Sequence, residues 1–242
     1  MALLAVFGGH ASRRAASARQ FTASNTEYLS HIDHADLSTG DIAWAAWGWG
    51  YLDSTSESTP ELMSKWGTAG QREWACWYAQ AIDKFQFSIY DGTDAVGTVQ
   101  SDAGINVGQW YFLVIEHDPV ANTVTLQIDN GTVKSSGTSG VSVDGTDAFH
   151  IGAEDSGSVN AWDGRITAVG FMKRAVTTAE RSALYNNGIG LRYANIPASL
   201  KDDATLRYWD LQEASGVATE ASGSGRDLTD NNTVTQATGP GA

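Results

Sequence analysis

The side chains able to do chemistry fall into a few groups along this 242-residue chain. Glu116-His117-Asp118 sets two acids two residues apart, on one face if the stretch is a strand, with an imidazole between them. Paired carboxyls suit general acid–base work, but Asp118 precedes Pro119 and is better explained as a turn residue. Asp210 and Glu213 make a second acidic pair. His31-x-x-His34, with Asp33 and Asp36 beside it, has the residue types of a transition-metal cluster. A spacing of three on a strand or loop does not bring both rings to one face, so a solvated loop is the favoured reading and no metal site is expected. There is no Gly-x-Ser-x-Gly elbow, phosphate loop, zinc spacing or nucleotide fingerprint. Catalysis is not expected, and no cofactor is needed.

Binding chemistry has better candidates. The chain holds nine Trp, and Trp66, Trp74, Trp77 and Trp162 are expected on the rim of a ligand site, where an indole can stack on a sugar. Arg13, Arg14 and Arg19 are the densest positive cluster of an acidic chain and are assigned to an arm, residues 1–20, that docks on a partner. A frayed terminus is the competing reading of that arm.

Composition narrows the partners. A net charge of −13 repels nucleic acid and anionic membrane. No apolar run reaches the length of a membrane span. A secretory signal would place its charges before the apolar run, whereas here Met1 to Phe7 is apolar and the arginines follow, so no signal peptide is expected. The single Cys76 excludes an intramolecular disulfide.

The elements that must position these residues are strands. Trp110 to His117 is aromatic and β-branched, Asp118-Pro119-Val120-Ala121-Asn122 is a turn, and Val124, Leu126 and Ile128 alternate with polar residues. This predicts a long antiparallel hairpin. Further strands are expected at 61–66, 72–79, 84–90, 95–101, 132–136, 147–153 and 162–173, separated by Gly/Asp/Ser/Asn clusters. Ile42, Trp44, Trp47, Trp49 and Tyr51 share a core strand whose apolar phase changes at Ala45-Ala46, predicting a bulge there. Thr177-Thr178-Ala179-Glu180 is a capping box opening one short helix, with Ala179, Ala183 and Leu184 as its packed face. The core is expected to include Trp44, Trp47, Trp110, Phe112, Val114, Leu126, Ile128 and Ile151.

These stretches together resemble the laminin-G-like, concanavalin A-like jelly rolls. Gly-x-Trp-Tyr leading to Asp129-Asn130-Gly131 resembles their central hairpin, Phe21 to Ser30 an early strand, and Ser64-Lys65-Trp66 another strand. Phe149-His150-Ile151-Gly152 and Gly164-Arg165-Ile166 follow in the family's order. The resemblance implies an all-β, concanavalin A-like jelly-roll β-sandwich over residues 21–194, a linker over 195–203 and a segment over 204–242. That last segment, with Tyr208-Trp209-Asp210-Leu211, is similar to the family's opening strand moved to the C-terminus. It is expected to complete this sandwich or a neighbouring copy's.

Many laminin-G-like domains carry an acidic pair after Gly-x-Ile. Here Thr167-Ala168 follow, so that calcium site does not carry over, although Asp210 and the loop Asp91 to Asp94 remain oxygen donors for a structural Ca²⁺. Glycan hydrolases of this architecture carry a Glu-x-Asp-x-x-Glu strand that this chain lacks. The expected function is a non-catalytic structural module of an extracellular or virion assembly, such as a capsid decoration or tail-associated protein, binding other subunits or copies of itself. The alternatives are a carbohydrate-binding or adhesion module and, less favoured, a glycan-cleaving enzyme.

Overall fold

The computed structural model describes residues 15–155 and 160–241. In chain order the strands are β1 (Ser17–Phe21), β2 (Tyr28–His31), β3 (Trp44–Leu52), β4 (Glu61–Lys65) and β5 (Arg72–Ala79). They continue with β6 (Lys84–Gly92), β7 (Ala95–Gln100), β8 (Trp110–Asp118), β9 (Thr123–Ile128) and β10 (Lys134–Gly137). The last five are β11 (Phe149–Ile151), β12 (Gly164–Met172), β13 (Arg207–Trp209), β14 (Thr229–Asn231) and β15 (Thr235–Thr238). Helix α1 spans Thr178–Tyr185, and a single turn, α2, spans Ala198–Lys201. One sheet runs β10-β9-β8-β3-β12-β1-β15 with β13 also on β12, and the other runs β14-β2-β11-β4-β5-β6-β7. Every pairing is antiparallel, giving the jelly-roll sandwich that the sequence pattern implies.

The β8–β9 hairpin forms where the turn chemistry places it. Asp118 accepts hydrogen bonds from the Val120 and Ala121 N–H groups at 2.9 and 3.0 Å, and Asn122 takes a φ of 52°. Leu113, Ile115 and Leu126 then face the inter-sheet core with Trp44, Trp74, Phe87 and Phe149. Phe112 and Val114 face the other way, into a second core with Trp47, Trp49, Leu184, Leu200 and Tyr208. The eight-stranded sheet is therefore buried on both faces, its outer one beneath α1 and the chain leading to β13. Trp110 and Ile128, expected in the core, are only partly buried; Trp110 begins its strand and leans on Tyr51, ring centroids 5.3 Å apart.

Burial on both faces also corrects the bulge expected at Ala45-Ala46. β3 keeps unbroken register with β8 from Trp44↔His117 to Tyr51↔Trp110. Trp44 and Trp47 differ by an odd number of residues and so point to opposite cores. The extra residue lies in β12, between Thr167 and Gly170, where Ala168 adopts a φ of 52°. Gly170 lies against Trp47, whose ring would be 2.2 Å from any Cβ at that position.

The first and last described strands meet. The first half of β12 pairs with β1 and the second half with β13, so the bulge marks the junction between N- and C-terminal strands. The Gln212 amide spans the gap, accepting from Ser17 N–H at 3.0 Å and donating to Ser17 O at 2.6 Å. β14 pairs with β2, and β15 pairs with β1. Arg19, assigned to a docking arm, lies instead in β1 with a fully buried guanidinium. It pairs with Asp230 at 2.8 Å and donates to Val234 O and Gly216 O, so its charge is used within the chain. Arg13 and Arg14 lie outside the described residues.

Candidate functional site

The four tryptophans assigned to a rim separate into two pairs. Trp74 and Trp162 are 0% exposed, which removes them from any ligand surface. Trp74 points inward from β5 onto Trp44 (centroids 5.0 Å apart), and Trp162 donates its indole N–H to Tyr51 O at 3.1 Å. Trp77 lies three residues from Trp74, so strand parity turns it to the outer face of the seven-stranded sheet. Trp66, just beyond β4, and Trp77 are half-buried and line one cavity of about 130 Å³.

Thr59, Glu61, Tyr90, Glu154 and Asn160 complete the lining. Register explains how they meet. Ser64, Ala75 and Ser88 pair across β4, β5 and β6 as a row of small residues that leaves room above the sheet. Glu61 pairs with Trp77 on one side of that row, and Trp66 and Tyr90 stand together on the other, ring centroids 6.0 Å apart. A register shift between Glu61 and Met63 turns Glu61 outward while Leu62 and Met63 both face the core. The far wall is a relay: Thr59 donates to the Asn160 side-chain oxygen at 2.6 Å, and the Asn160 amide donates to Glu154. The Asn160 carbonyl accepts the Glu61 N–H at 2.9 Å. Arg72 stacks on Trp66, 4.0 Å from its centroid, and donates to the Gly67 and Thr93 carbonyls.

Electrostatically the cavity is acidic. Glu61 is 4% exposed and its Oε2 has no hydrogen-bond partner among the described residues. Burial first, then repulsion from Glu154, raises its carboxyl well above the usual carboxylate range. Burial raises Glu154 too, against the Asn160 hydrogen bond and the Arg72 charge. The Tyr90 phenol is pushed to about 12 by burial and by Glu61. Such a site can stack a ring on indole and phenol faces and hold a hydrogen-bond donor on carboxyl oxygens.

The other chemical candidates are structural. Glu116 pairs with Arg181 of α1 and accepts the Val176 N–H at 2.8 Å, while Asp118 serves its turn. Asp210 accepts the Tyr193 N–H at 2.6 Å. Asp33 pairs with Lys65, and Asp36 with Arg207 and Arg226. Among the described residues no three His, Cys, Asp or Glu side chains converge as a metal site would require. Of the residues lining this candidate cavity, the sequence reading singles out Trp66 and Trp77 and not Glu61, Tyr90, Glu154 or Asn160. The parity of Tyr90, opposite to Phe85, Phe87 and Ile89, was a usable signal. For Glu154 and Asn160, on the connection after β11, there was none.

A family model described as the concanavalin A-like lectin/glucanases superfamily matches residues 23–180. The chain belongs to that superfamily. The fold agrees with solved structures at low identity. A Bacteroides ovatus protein whose proposed role is carbohydrate binding aligns over 95% of this chain at 16% identity and a TM-score of 0.62. This chain spans 62% of that protein's length. A heptameric SAP-like pentraxin from Limulus polyphemus aligns over 72% of this chain and 82% of its own, at 13% identity and a TM-score of 0.53. The CBM40 module of a Ruminococcus gnavus IT-sialidase, solved with α2,3-sialyllactose, aligns over 71% of this chain and 99% of its own, at 9% identity and a TM-score of 0.54. No curated protein matches the sequence.

Proposed function

We propose that this superfamily member is a non-catalytic carbohydrate-binding module that acts outside the cell, with its glycan on the outer face of the seven-stranded sheet. The observation that carries the reading is the grouping of Trp66, Trp77 and Tyr90 with two carboxyls and an amide around one cavity. Flat apolar rings beside fixed acceptors match a sugar, which has an apolar C–H face and a rim of hydroxyls. The carbohydrate-binding descriptions of the Bacteroides and Ruminococcus structures add support. The structural virion role has no comparable feature behind it among the described residues.

Glu61 and Glu154 share the cavity, and paired carboxyls are the residue types of glycoside hydrolysis. The glycan hydrolases of this architecture carry a Glu-x-Asp-x-x-Glu strand that this chain lacks. Incubation with oligosaccharides should therefore release no reducing sugar. Binding itself is tested by a glycan array followed by calorimetry. Trp77→Ala should weaken any ligand found by roughly ten- to a hundredfold, since stacking on an indole contributes about 1–3 kcal/mol. A Trp77→Ala protein that binds as the parent does would place the site elsewhere.

A further inference from the structure

We propose that the cavity between Trp66, Trp77 and Tyr90 selects a sugar bearing a free amine, with the ammonium group seated on Glu61. This rests on the glycan-binding reading above and names its ligand class.

The argument starts from charge left uncompensated. Two carboxyls, Glu61 and Glu154, line the cavity; the Arg72 charge acts on Glu154, but its guanidinium is turned to the carbonyls of Gly67 and Thr93 and to the Trp66 ring, and against Glu61 there is only the Ser64 hydroxyl. Glu154 has the Asn160 amide, whereas Glu61 Oε2 has nothing among the described residues. Burial keeps such a carboxyl protonated and neutral, and it ionises only when a cation arrives to hold its charge. The surrounding groups suit a soft cation. Trp66, one face of which already carries Arg72, lines the cavity with Trp77 and Tyr90, and aromatic rings attract ammonium groups. A hard divalent ion would need six or more oxygens, which these rings cannot supply.

Competing sugars fare worse for stated reasons. An acidic sugar brings a third negative charge beside Glu61 and Glu154. A neutral hydroxyl can donate to Oε2 but brings no charge that would hold the carboxyl ionised. An N-acetylated amine is neutral too, and its amide nitrogen carries no charge to set against the carboxyl. The burial that raises the Glu61 carboxyl is relieved by an ammonium and by none of these.

Calorimetry on the full chain decides the matter with four probes: a β-1,4-glucosamine tetramer with free amines, its N-acetylated form, the matching glucose tetramer, and a tetralysine peptide. The measurement is made at a pH where the amines are protonated. The free-amine sugar should bind about ten- to a hundredfold more tightly than the other two sugars, as expected for one charge-assisted hydrogen bond. Glu61→Gln should erase that preference while leaving weak sugar binding in place. Should E61Q fail to fold, Glu154→Gln must lower the preference instead, because it removes half of the negative charge. Equal or tighter binding of the glucose or N-acetylated tetramer overturns the ligand class and leaves the glycan reading standing. Tetralysine binding as tightly as the amine sugar overturns the glycan reading. No binding of any probe overturns this proposal.

Discussion

His150 pairs with Ser64 and Ser30 on the outer face of the seven-stranded sheet, is 6% exposed, and has the Tyr28 ring 5.7 Å away. Its Nδ1 has no partner among the described residues, and burial pulls its pKa from 6.5 to about 4, against a smaller opposing pull from Asp155. Between those values the unfolded chain binds the proton and the folded chain does not, so stability rises with pH through this window and is fully present above 6.5. At saturation the effect is about 3 kcal/mol. His150→Gln should flatten the slope of unfolding free energy between pH 4 and 6.5, measured by urea titration. An unchanged slope would mean that the ring titrates normally. Glu61 works in the opposite sense. Its folded carboxyl holds the proton above the usual 4.5, so stability falls as pH rises from there. Glu61→Gln should raise the melting temperature near neutral pH and leave it nearly unchanged at pH 4; a loss at neutral pH would show the carboxylate to be paired. Neither environment was legible in the sequence. Phe149-His150-Ile151 marks a strand, but what buries its middle residue comes from β2 and β4.

At the scale of elements the local signals were strong. Strands β5 to β9 fall within a residue or two of the ranges read from alternation, because their turns carry their own Asp, Asn and Gly chemistry. The helix start was equally readable. Thr177 accepts the Glu180 N–H at 3.2 Å, and Glu180 returns the bond to the Thr177 N–H at 2.9 Å. Glu180 is also held by both Arg174 terminal nitrogens at 2.9 Å, which with the Thr177 and Ser199 bonds brings its carboxyl down to about 2. The helix face was misread. Glu180 and Leu184, one turn apart, face the sheet, and Ala179 and Ala183 are exposed. A buried glutamate is not the residue that an apolar pattern selects; the Arg174 pairing, with the Thr177 and Ser199 bonds, makes it tolerable. The β12 bulge was illegible for the same reason, since the left-handed Ala168 is imposed by β1 and β13 abutting on one strand. Thr177→Ala should cost about 1 kcal/mol in the urea midpoint. A cost near zero would mean that Arg174 and Ser199 hold the helix end without the cap.

For the molecule as a whole, both sheets depend on strands drawn from the two ends of the chain. Arg19 is the tie at the centre of that closure. Burial lowers its pKa, Asp230 and Glu213 oppose the shift, and its hydrogen bonds reach residues about two hundred positions away. Trp209 stacks on Phe149 of the opposite sheet at 5.3 Å, and Leu211, Ala218, Leu228 and Val234 belong to the inter-sheet core. Removing residues 204–242 would strip β13 from Val169–Phe171 of β12, β14 from β2 and β15 from β1, leaving backbone donors and acceptors unpaired beside an opened core. The truncated chain is expected to aggregate or to lack cooperative unfolding. A peptide spanning 204–242, added during refolding, should restore a cooperative transition whose midpoint rises with peptide concentration, because a ligand of the native state alone stabilises by mass action. The same peptide with Trp209→Ala should rescue at least tenfold less well, since an emptied Trp site in a core costs about 3–5 kcal/mol. If the truncated protein instead melts as the full chain does, the C-terminal strands contribute nothing to the sandwich, and the pairing of its two ends cannot be what holds it together.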